Sequence, residues 1–427
     1  MNNTTQIIRG MHDLIPDDVI KWNYIENILK KTLINYCYDE IRLPIVEKEI
    51  LFKKSIGTIT DVFEKEMYSF RDKSNNKICL RPEGTAGCVR AAIANSLIFK
   101  KKQRLWYIGP MFRYERPQKG RYRQFFQLGV EIFGYSEPEI DIEIILLNID
   151  WWKKLNLDKY LTLEINTIGS IEDRKVYQKE LTQFLIKNKS YLDKQSKDRL
   201  LQNPFRILDS KNKEVQKLLL DAPKLFNFLN KKSIFRFNFF CKLLDSLNIK
   251  YIVNNNLVRG LDYYNDTVFE WKYYSSNMSQ NTICAGGRYD NLVEKIGNYS
   301  SPAIGCAVGM ERLISLNLII SKKLNLFIKK IDLFVSFLYP NLYLETIKLS
   351  KKIRKIFKNV KMLLETSYTT EKKHLKKANE LNAKIFIFIT SKDIKTKTIF
   401  IKDLEKKINF KFSENELFLF LKEKLHK

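Results

Sequence analysis

Apolar residues recur along the chain at two spacings, and the switches between them mark its elements. After a short opening segment (7–16), Trp22, Ile25, Leu29, Leu33 and Tyr36 return every three or four positions, which predicts an amphipathic helix from Asp17. Asp17 and Asp18 suit its first turn, where negative charge meets the positive end of the helix dipole. A strand is expected over Glu40–Val46, bent or at a sheet edge because Pro44 has no N–H to donate. From Leu80 to Leu97, LRPEGTAGCVRAAIANSL predicts a strand broken at Pro82 and Gly84, a Thr85 cap and a helix over 87–97.

The clearest alternation lies in residues 104–134. Two strand-like runs flank Pro117-Gln118-Lys119-Gly120, which predicts an antiparallel hairpin with a long loop. On its second strand Phe126, Leu128, Val130 and Ile132 form an apolar face, while Phe125, Gln127, Gly129 and Glu131 share the other. Helix is expected over 141–155, strand over 160–167, and a charged helical stretch over 171–250, punctuated by Asn203-Pro204 and Ala222-Pro223. After Gly260 a strand reading places Asp262, Tyr264 and Asp266 on one face and Tyr263, Asn265 and Thr267 on the other. Ser301–Leu316 reads as a glycine-spaced strand running into a helix, with Arg312 in its first turns. Beyond a Lys-rich join (321–330), strands at Asp332–Phe337, Lys361–Leu364, Lys384–Thr390 and Thr398–Ile401 alternate with helices at Leu342–Phe357, Glu371–Leu381 and Asn415–Lys424. That order predicts an α/β domain.

A chain of 427 residues suits about two or three domains, each with room for a core. The excess of 75 Lys+Arg over 48 Asp+Glu, a formal +27, favours a polyanionic partner, nucleic acid before a membrane surface. A general enrichment in Lys, Asn, Ile, Phe and Tyr supplies part of that charge, so it permits RNA binding without establishing it. Six scattered cysteines form no C-x-x-C pair and only three histidines accompany them, so no zinc site is expected. The thiols are expected to be buried in a reducing compartment. No signal-like apolar core opens the chain and no stretch reaches membrane-span length, which predicts a cytoplasmic protein without membrane contact.

Candidate chemistry gathers in a few stretches. The hairpin loop brings Arg113, Arg116, Lys119, Arg121 and Arg123 against one acid, Glu115. A guanidinium donates two parallel hydrogen bonds to oxygens, which suits phosphate. Gln127 and Glu131 lie in a run too apolar for a solvent face, so the hairpin fits a nucleotide beside a small cationic or polar molecule. Glu83 and Thr85 occupy an accessible strand-to-helix turn. In LVRGLDYYNDTVFEW (257–271), ionisable groups crowd beside apolar ones, which is costly unless they are paired or used. In CAGGRYDNL, Gly286 and Gly287 let a ligand approach the backbone. Singly, each stretch also reads as an ordinary basic hairpin, helix cap, turn or buried strand.

FRYERPQKGRYRQFFQLGVEIFG closely resembles motif 2 of the class II aminoacyl-tRNA synthetases, in the form found in the histidyl-tRNA synthetase family. The helix–strand–proline stretch resembles motif 1, which builds the dimer interface in that family, and SPAIGCAVGMERLISL resembles motif 3. LVRGLDYYNDTVFEW and CAGGRYDNL resemble the two stretches that set this family apart within its class. The tail, with 22 Lys+Arg against 11 Asp+Glu over 331–427, is similar to the family's anticodon-binding domain. SYTTEKKHL and ITSKDI stand there where glycines are usual.

The resemblance implies an α+β fold: a class II antiparallel sheet flanked by helices (1–170 and 251–320), a helical insertion (171–250), a linker (321–330) and a C-terminal α/β anticodon-binding domain (331–427). It implies that L-histidine and ATP give histidyl-adenylate, and that histidine then passes to the 3′ end of tRNA(His). ATP enters as substrate with Mg2+; no permanently bound cofactor and no metal held by protein ligands alone is implied, and a homodimer is. Carried over by position, Arg113 and Arg259 hold the α-phosphate and act catalytically, the latter where other class II enzymes place a metal ion. Arg121 and Arg312 reach the outer phosphates, and Phe125 stacks on adenine. Glu83, Thr85 and Gln127 bind the ammonium, Glu131 and Tyr264 meet the imidazole, and Tyr263 and Tyr289 line the pocket. Gln118 and Arg123, at the loop tip, approach the tRNA acceptor end.

Family members commonly carry histidines where this chain has Tyr114 and Phe126; the second falls on the core face and affects packing. No G-x-x-x-x-G-K-[ST], H-x-G-H or K-M-S-K-S occurs, which excludes P-loop and class I chemistry. The remaining rival is a non-catalytic, histidine-sensing regulatory paralogue of histidine biosynthesis. Such relatives lose catalytic arginines and the tail, whereas Arg113, Arg259, Arg312 and a tail are present here.

Overall fold

Pairing of the alternating runs produces three sheets among the described residues. The computed structural model describes residues 5–56, 62–118, 120–200, 203–208, 210, 212–274, 281–321 and 331–425. The chain divides into two compact units, Met1–Lys322 and Lys323–Lys427. The join expected at 321–330 falls almost wholly outside the described residues.

Strands of the first unit are β1 (Asp39–Glu40), β2 (Val46–Lys48), β3 (Tyr68–Arg71), β4 (Lys77–Leu80), β5 (Gln103–Phe112), β6 (Gln124–Phe133), β7 (Thr162–Thr167), β8 (Tyr251–Val253), β9 (Asn265–Lys272), β10 (Thr282–Arg288) and β11 (Ala303–Gly309). Eight of them form one sheet in the order β1-β5-β6-β11-β10-β9-β7-β8. Its interior is antiparallel, and only the edge strands β1 and β8 run parallel to their neighbours. The single strand expected across Pro44 is instead two: β1 joins this sheet, while β2 pairs with β4 in a separate small sheet β2-β4-β3. Proline interrupts pairing, and the chain changes sheets at that point.

The helix Pro16–Asn35 buries Trp22, Ile25, Leu29 and Leu33, the stripe predicted by spacing. They pack with Leu128, Val130 and Ile132 of β6 and with Trp151 and Trp152 of the helix Glu139–Lys154. Phe126 joins this side, edge-on to Trp22 at 5.1 Å. The opposite face of the sheet gathers Tyr107, Tyr263, Tyr264 and Tyr289 with the helices that follow β7. Those helices, between Ile171 and Ser246, fall in the stretch expected to be helical.

One buried ion pair ties the sheet to its helical layer. Arg288, at the end of β10, is fully buried. It donates through Nε to Asp141 at 2.8 Å and through its other nitrogens to the carbonyls of Tyr135 at 3.2 Å and Glu137 at 2.7 Å. Asp141 lies in the first turn of the helix Glu139–Lys154, so this contact locks that helix start onto β10.

The second unit contains β12 (Ile331–Phe337), β13 (Met362–Leu364), β14 (Ala383–Ile389), β15 (Ile399–Asp403) and β16 (Ile408–Phe412) in the order β13-β12-β14-β15-β16. The first three are mutually parallel and the last two return antiparallel. β16 was not expected, because its hairpin turns through Lys407 at φ 59° rather than through glycine or asparagine. Leu333, Val335 and Phe337 form one core with the C-terminal helix Glu414–Leu425, and Phe334 forms another with Ala378. No helix among the described residues is long and apolar enough to cross a membrane.

Removing Arg288 strands a buried carboxylate. Arg288→Met is expected to lower unfolding free energy by about 3–5 kcal/mol in urea titrations, with Arg288→Met/Asp141→Leu recovering most of the loss. A single variant as stable as the parent would remove the pair from its locking role.

Candidate active site

The hairpin β5–β6 pairs Gly109 with Gln127, Tyr107 with Gly129 and Leu105 with Glu131. Tyr107 lies across Gly129, where a Cβ would come within 2.1 Å of its ring. Gly305 on β11 pairs with Glu131, and a Cβ there would sit 2.0 Å from the carboxylate. These two glycines make room for a carboxylate inside the sheet.

Glu131 is 1% exposed and is held by hydroxyls from three other segments. Thr85 donates to Oε1 at 2.8 Å, Tyr107 to Oε1 at 3.0 Å, and Tyr289 to Oε2. Burial raises its pKa to about 8; the Tyr289 and Thr85 hydroxyls oppose that rise, and Glu83 adds to it. Glu83 is also buried and accepts from the backbone N–H of Thr85 at 2.6 Å and of Ala86 at 2.8 Å. Thus Glu83, not Thr85, caps the helix Thr85–Ala94, and the Thr85 hydroxyl is turned to Glu131. Burial raises the Glu83 pKa, with the helix N–H groups and Arg113 opposing.

These groups lie at or just beneath one end of a cavity of about 360 Å³. Glu83, Thr85, Gln127, Tyr263, Tyr264 and Tyr289 line it, and Glu131 lies behind Thr85 and Tyr289. The strand alternation expected over 260–264 does not occur. That segment is loop, and β9 begins at Asn265. Asp266 takes φ 46° and the register with β10 shifts at Arg288, so Tyr263 and Tyr264 both face the cavity, with ring centroids 4.6 Å apart.

Arg113, Arg121, Phe125, Arg259 and Arg312 also border the cavity. Arg113 donates to the Pro82 carbonyl at 2.9 Å, and its guanidinium lies 5.2 Å from the Phe125 ring centre. Arg121 pairs with Glu115 at 3.1 Å. Arg312 donates to the carbonyls of Gly120 and Thr282, each at 3.0 Å. Its pKa is lowered by burial and by Arg121 and Arg113, partly offset by Glu115 and Glu270. Guanidinium keeps its proton, so the crowding appears as a concentrated positive potential. Arg259 pairs with Glu270 and stacks 5.1 Å from the Tyr264 ring centre. Burial acts against its charge, but Tyr264 and Glu270 more than offset this and raise its pKa. Its Nε is buried with no hydrogen-bond partner among the described residues.

Two residues assigned to the loop tip lie elsewhere or outside the cavity. Arg123 sits at the loop's base, 3.8 Å over the exposed Tyr114 ring, and reaches the Arg9 carbonyl at 3.4 Å. Gln118 is exposed and bridges backbone to backbone with Arg121; Lys119 lies outside the described residues. Tyr107, Glu270 and Arg206 escaped the sequence reading. An aromatic opposite a glycine in a hairpin was a usable signal for Tyr107. Glu270 and Arg206 had none, since only the fold carries them to Arg259 and to Gly260. Glu311, with its pKa raised by burial to about 7, accepts from the Phe126 N–H at 2.8 Å and joins β6 to the helix Met310–Ser321. Among the described residues no cluster of His, Cys, Asp and Glu is arranged to hold a metal ion.

A family model described as histidyl-tRNA synthetase matches residues 10–313. The histidine–tRNA ligase of Buchnera aphidicola subsp. Schizaphis graminum (strain Sg) is 52% identical over 431 aligned positions, covering 100% of this chain and 99% of that protein. The corresponding protein of Buchnera aphidicola subsp. Baizongia pistaciae (strain Bp) is 49% identical over 98% of each chain. Among solved structures, apo histidyl-tRNA synthetase of S. aureus superposes with a TM-score of 0.80 at 32% identity, covering 98% of this chain and all of that one.

The folded chain keeps a proton on Glu131 that the unfolded chain releases. Its contribution to stability is therefore complete below the ordinary carboxylate pKa of about 4.3 and is lost as pH rises towards about 8. Glu131→Gln retains shape and an acceptor for the hydroxyls. It is expected to flatten the decline in melting temperature between about pH 5 and about pH 8 in the ligand-free protein. An unchanged slope would place the buried proton elsewhere.

Proposed function

The chain belongs to the histidyl-tRNA synthetase family, and from that premise we propose how its pocket divides the work of the reaction. The protein activates L-histidine with ATP and transfers histidine to the 3′ end of tRNA(His). One observation carries the residue assignment: Arg113, Arg121, Arg259 and Arg312 line the same cavity as the buried Glu83, and the buried Glu131 lies behind Thr85 and Tyr289 at that end. A cationic end suits a triphosphate, and an end built of carboxyl, hydroxyl and amide groups suits an ammonium and a polar ring.

In this reading Arg113 and Arg259 hold the α-phosphate, Arg121 and Arg312 hold the outer phosphates, and Phe125 stacks on adenine once Arg113 moves to phosphate. Glu83, Thr85 and Gln127 take the ammonium. Glu131 and Tyr264 take the imidazole between Tyr263 and Tyr289. The histidine carboxylate attacks the α-phosphorus and pyrophosphate leaves; a ribose hydroxyl of the terminal adenosine then attacks the acyl carbon and AMP leaves. No side chain forms a covalent intermediate, so rate comes from orientation and from cations aimed where charge grows. Mg2+ enters with ATP. We also assign the protein to the cytoplasm as a homodimer, Gln118 and Arg123 to the acceptor end, residues 171–250 to RNA contact, and residues 331–427 to the anticodon. Nothing favours the histidine-sensing regulatory reading, which leaves the arginine wall without a ligand.

Pyrophosphate exchange measured across the amino acids tests the assignment, with histidine alone expected to support it. Arg259→Ala is expected to lower exchange about a hundred- to a thousand-fold, and lysine to restore only part, since a point charge lacks the guanidinium fork. Because the substitution takes the nearer of two cations from Glu270, leaving it Lys272 at 3.4 Å and the Thr282 hydroxyl at 3.0 Å, Arg259→Ala/Glu270→Gln is the control: exchange stays low while any lost melting temperature recovers. Full exchange in Arg259→Ala would move the catalytic role to Arg113. Separately, a chain ending at Lys322 is expected to keep exchange and to charge tRNA poorly; equal loss of both activities would make the tail structural.

A further inference from the structure

Arg206 borders the same cavity, and none of the roles above uses it. It belongs to the insertion, on a single helical turn, Pro204–Ile207, whose ends are buried and whose Phe205 ring packs 5.6 Å from Tyr177. From there its guanidinium reaches the loop that carries Arg259. A Cβ on Gly260 would meet its Nη1 at 2.8 Å, so glycine leaves the space this side chain crosses. Asp262 on that loop feels Arg174 first and Arg206 next.

The cations of the site therefore fall into two groups. Arg121 and Arg113 are the cations that act most on Arg312, and these three arginines form the wall suited to triphosphate. Arg206 stands beside Gly260 and Asp262 and comes from a segment with 18 Lys+Arg against 9 Asp+Glu over 171–250. Adenylate formation brings one polyanion, ATP, for which four arginines are already placed. Transfer brings a second. The hydroxyl that attacks the acyl carbon belongs to the last nucleotide, so the phosphate linking that nucleotide to the one before must enter the pocket mouth with it. A guanidinium on the border of the cavity holds that phosphate through a charge-assisted hydrogen bond and so fixes the ribose attached to it.

We propose that Arg206 binds the last internucleotide phosphate of the tRNA 3′ end and orients the terminal ribose for the transfer step. This rests on the ligase reading and adds a residue that acts after the adenylate has formed.

The test compares the full-length parent, Arg206→Ala and Arg206→Lys in two assays. Exchange is measured without RNA. Single-turnover transfer from preformed histidyl-adenylate is measured to an acceptor-stem hairpin RNA with either a natural or an uncharged methylphosphonate last linkage. Arg206→Ala is expected to slow transfer about 10- to 100-fold, the range for losing one hydrogen bond to a charged group, while exchange falls by less than about threefold. Lysine is expected to recover part of the transfer rate. The methylphosphonate is expected to slow the parent by a similar factor and Arg206→Ala hardly further. Parallel loss of exchange and transfer, unchanged transfer, or losses that multiply between variant and linkage would each overturn the proposal. Absence of exchange in the parent would instead overturn the ligase reading.

Discussion

A carboxylate buried in a β-sheet constrains everything around it, and in this protein that carboxylate is Glu131. An isolated charge there would be too costly to keep, so its surroundings must supply donors or a proton. They supply both: three hydroxyls from three segments, and a pKa shifted far enough upward to retain a proton near neutrality. Each donor is fixed by something further out. Thr85 is positioned by the helix that Glu83 caps, and Tyr107 by the gap at Gly129. Tyr289 is held between Arg288, clamped to Asp141, and Asp290, which accepts from the Ala303 N–H at 2.9 Å and the Asn265 side chain at 3.1 Å. Sheet, capped helix and outer helical layer thus converge on one side chain.

The arginine end of the cavity poses the opposite electrostatic problem. Arg113, Arg121 and Arg312 repel one another, and local acids and carbonyls hold them in place. Holding them in place costs folding free energy, and under the assignment proposed above it leaves less reorganisation for the reaction itself. Arg259 differs from these three. It is half-buried, paired to Glu270 and packed against the Tyr264 ring, so its guanidinium has a fixed place in the ligand-free protein.

The long-period features of the chain were legible in its residues. The stripe of the first helix, the two faces of β6, the glycine-spaced β11 and the alternation of the tail all survive in the structure, because burial enforces the helical and strand periods directly. Of the site residues implied by resemblance, Glu83, Thr85, Gln127, Tyr263, Tyr264, Tyr289, Phe125, Arg113, Arg121, Arg259 and Arg312 line one cavity, while Glu131, Gln118 and Arg123 do not. Where local patterns misled, a non-local bond had overruled them. Thr85 has the chemistry of a cap but points to Glu131, and Glu83 takes the cap. Tyr263 and Tyr264 should alternate, yet a bulge at Asp266 turns both inward.

The sequence by itself determined which residues are apolar on which face, where chain direction breaks, and which side chains are equipped to bind phosphate, ammonium or a polar ring. Those properties depend on neighbours one to four positions away, which a single chain displays. Only the tertiary structure decided that Pro44 sends one expected strand into two sheets, that Glu270 meets Arg259, and that Arg206 crosses from the insertion to Gly260. It also decided that Glu131 carries its proton near neutrality, since that follows from complete burial among hydroxyls contributed by β5, the Thr85 helix and the end of β10. Contacts of this kind join positions tens of residues apart, and their energies depend on a dielectric and a geometry that exist only once the chain has folded.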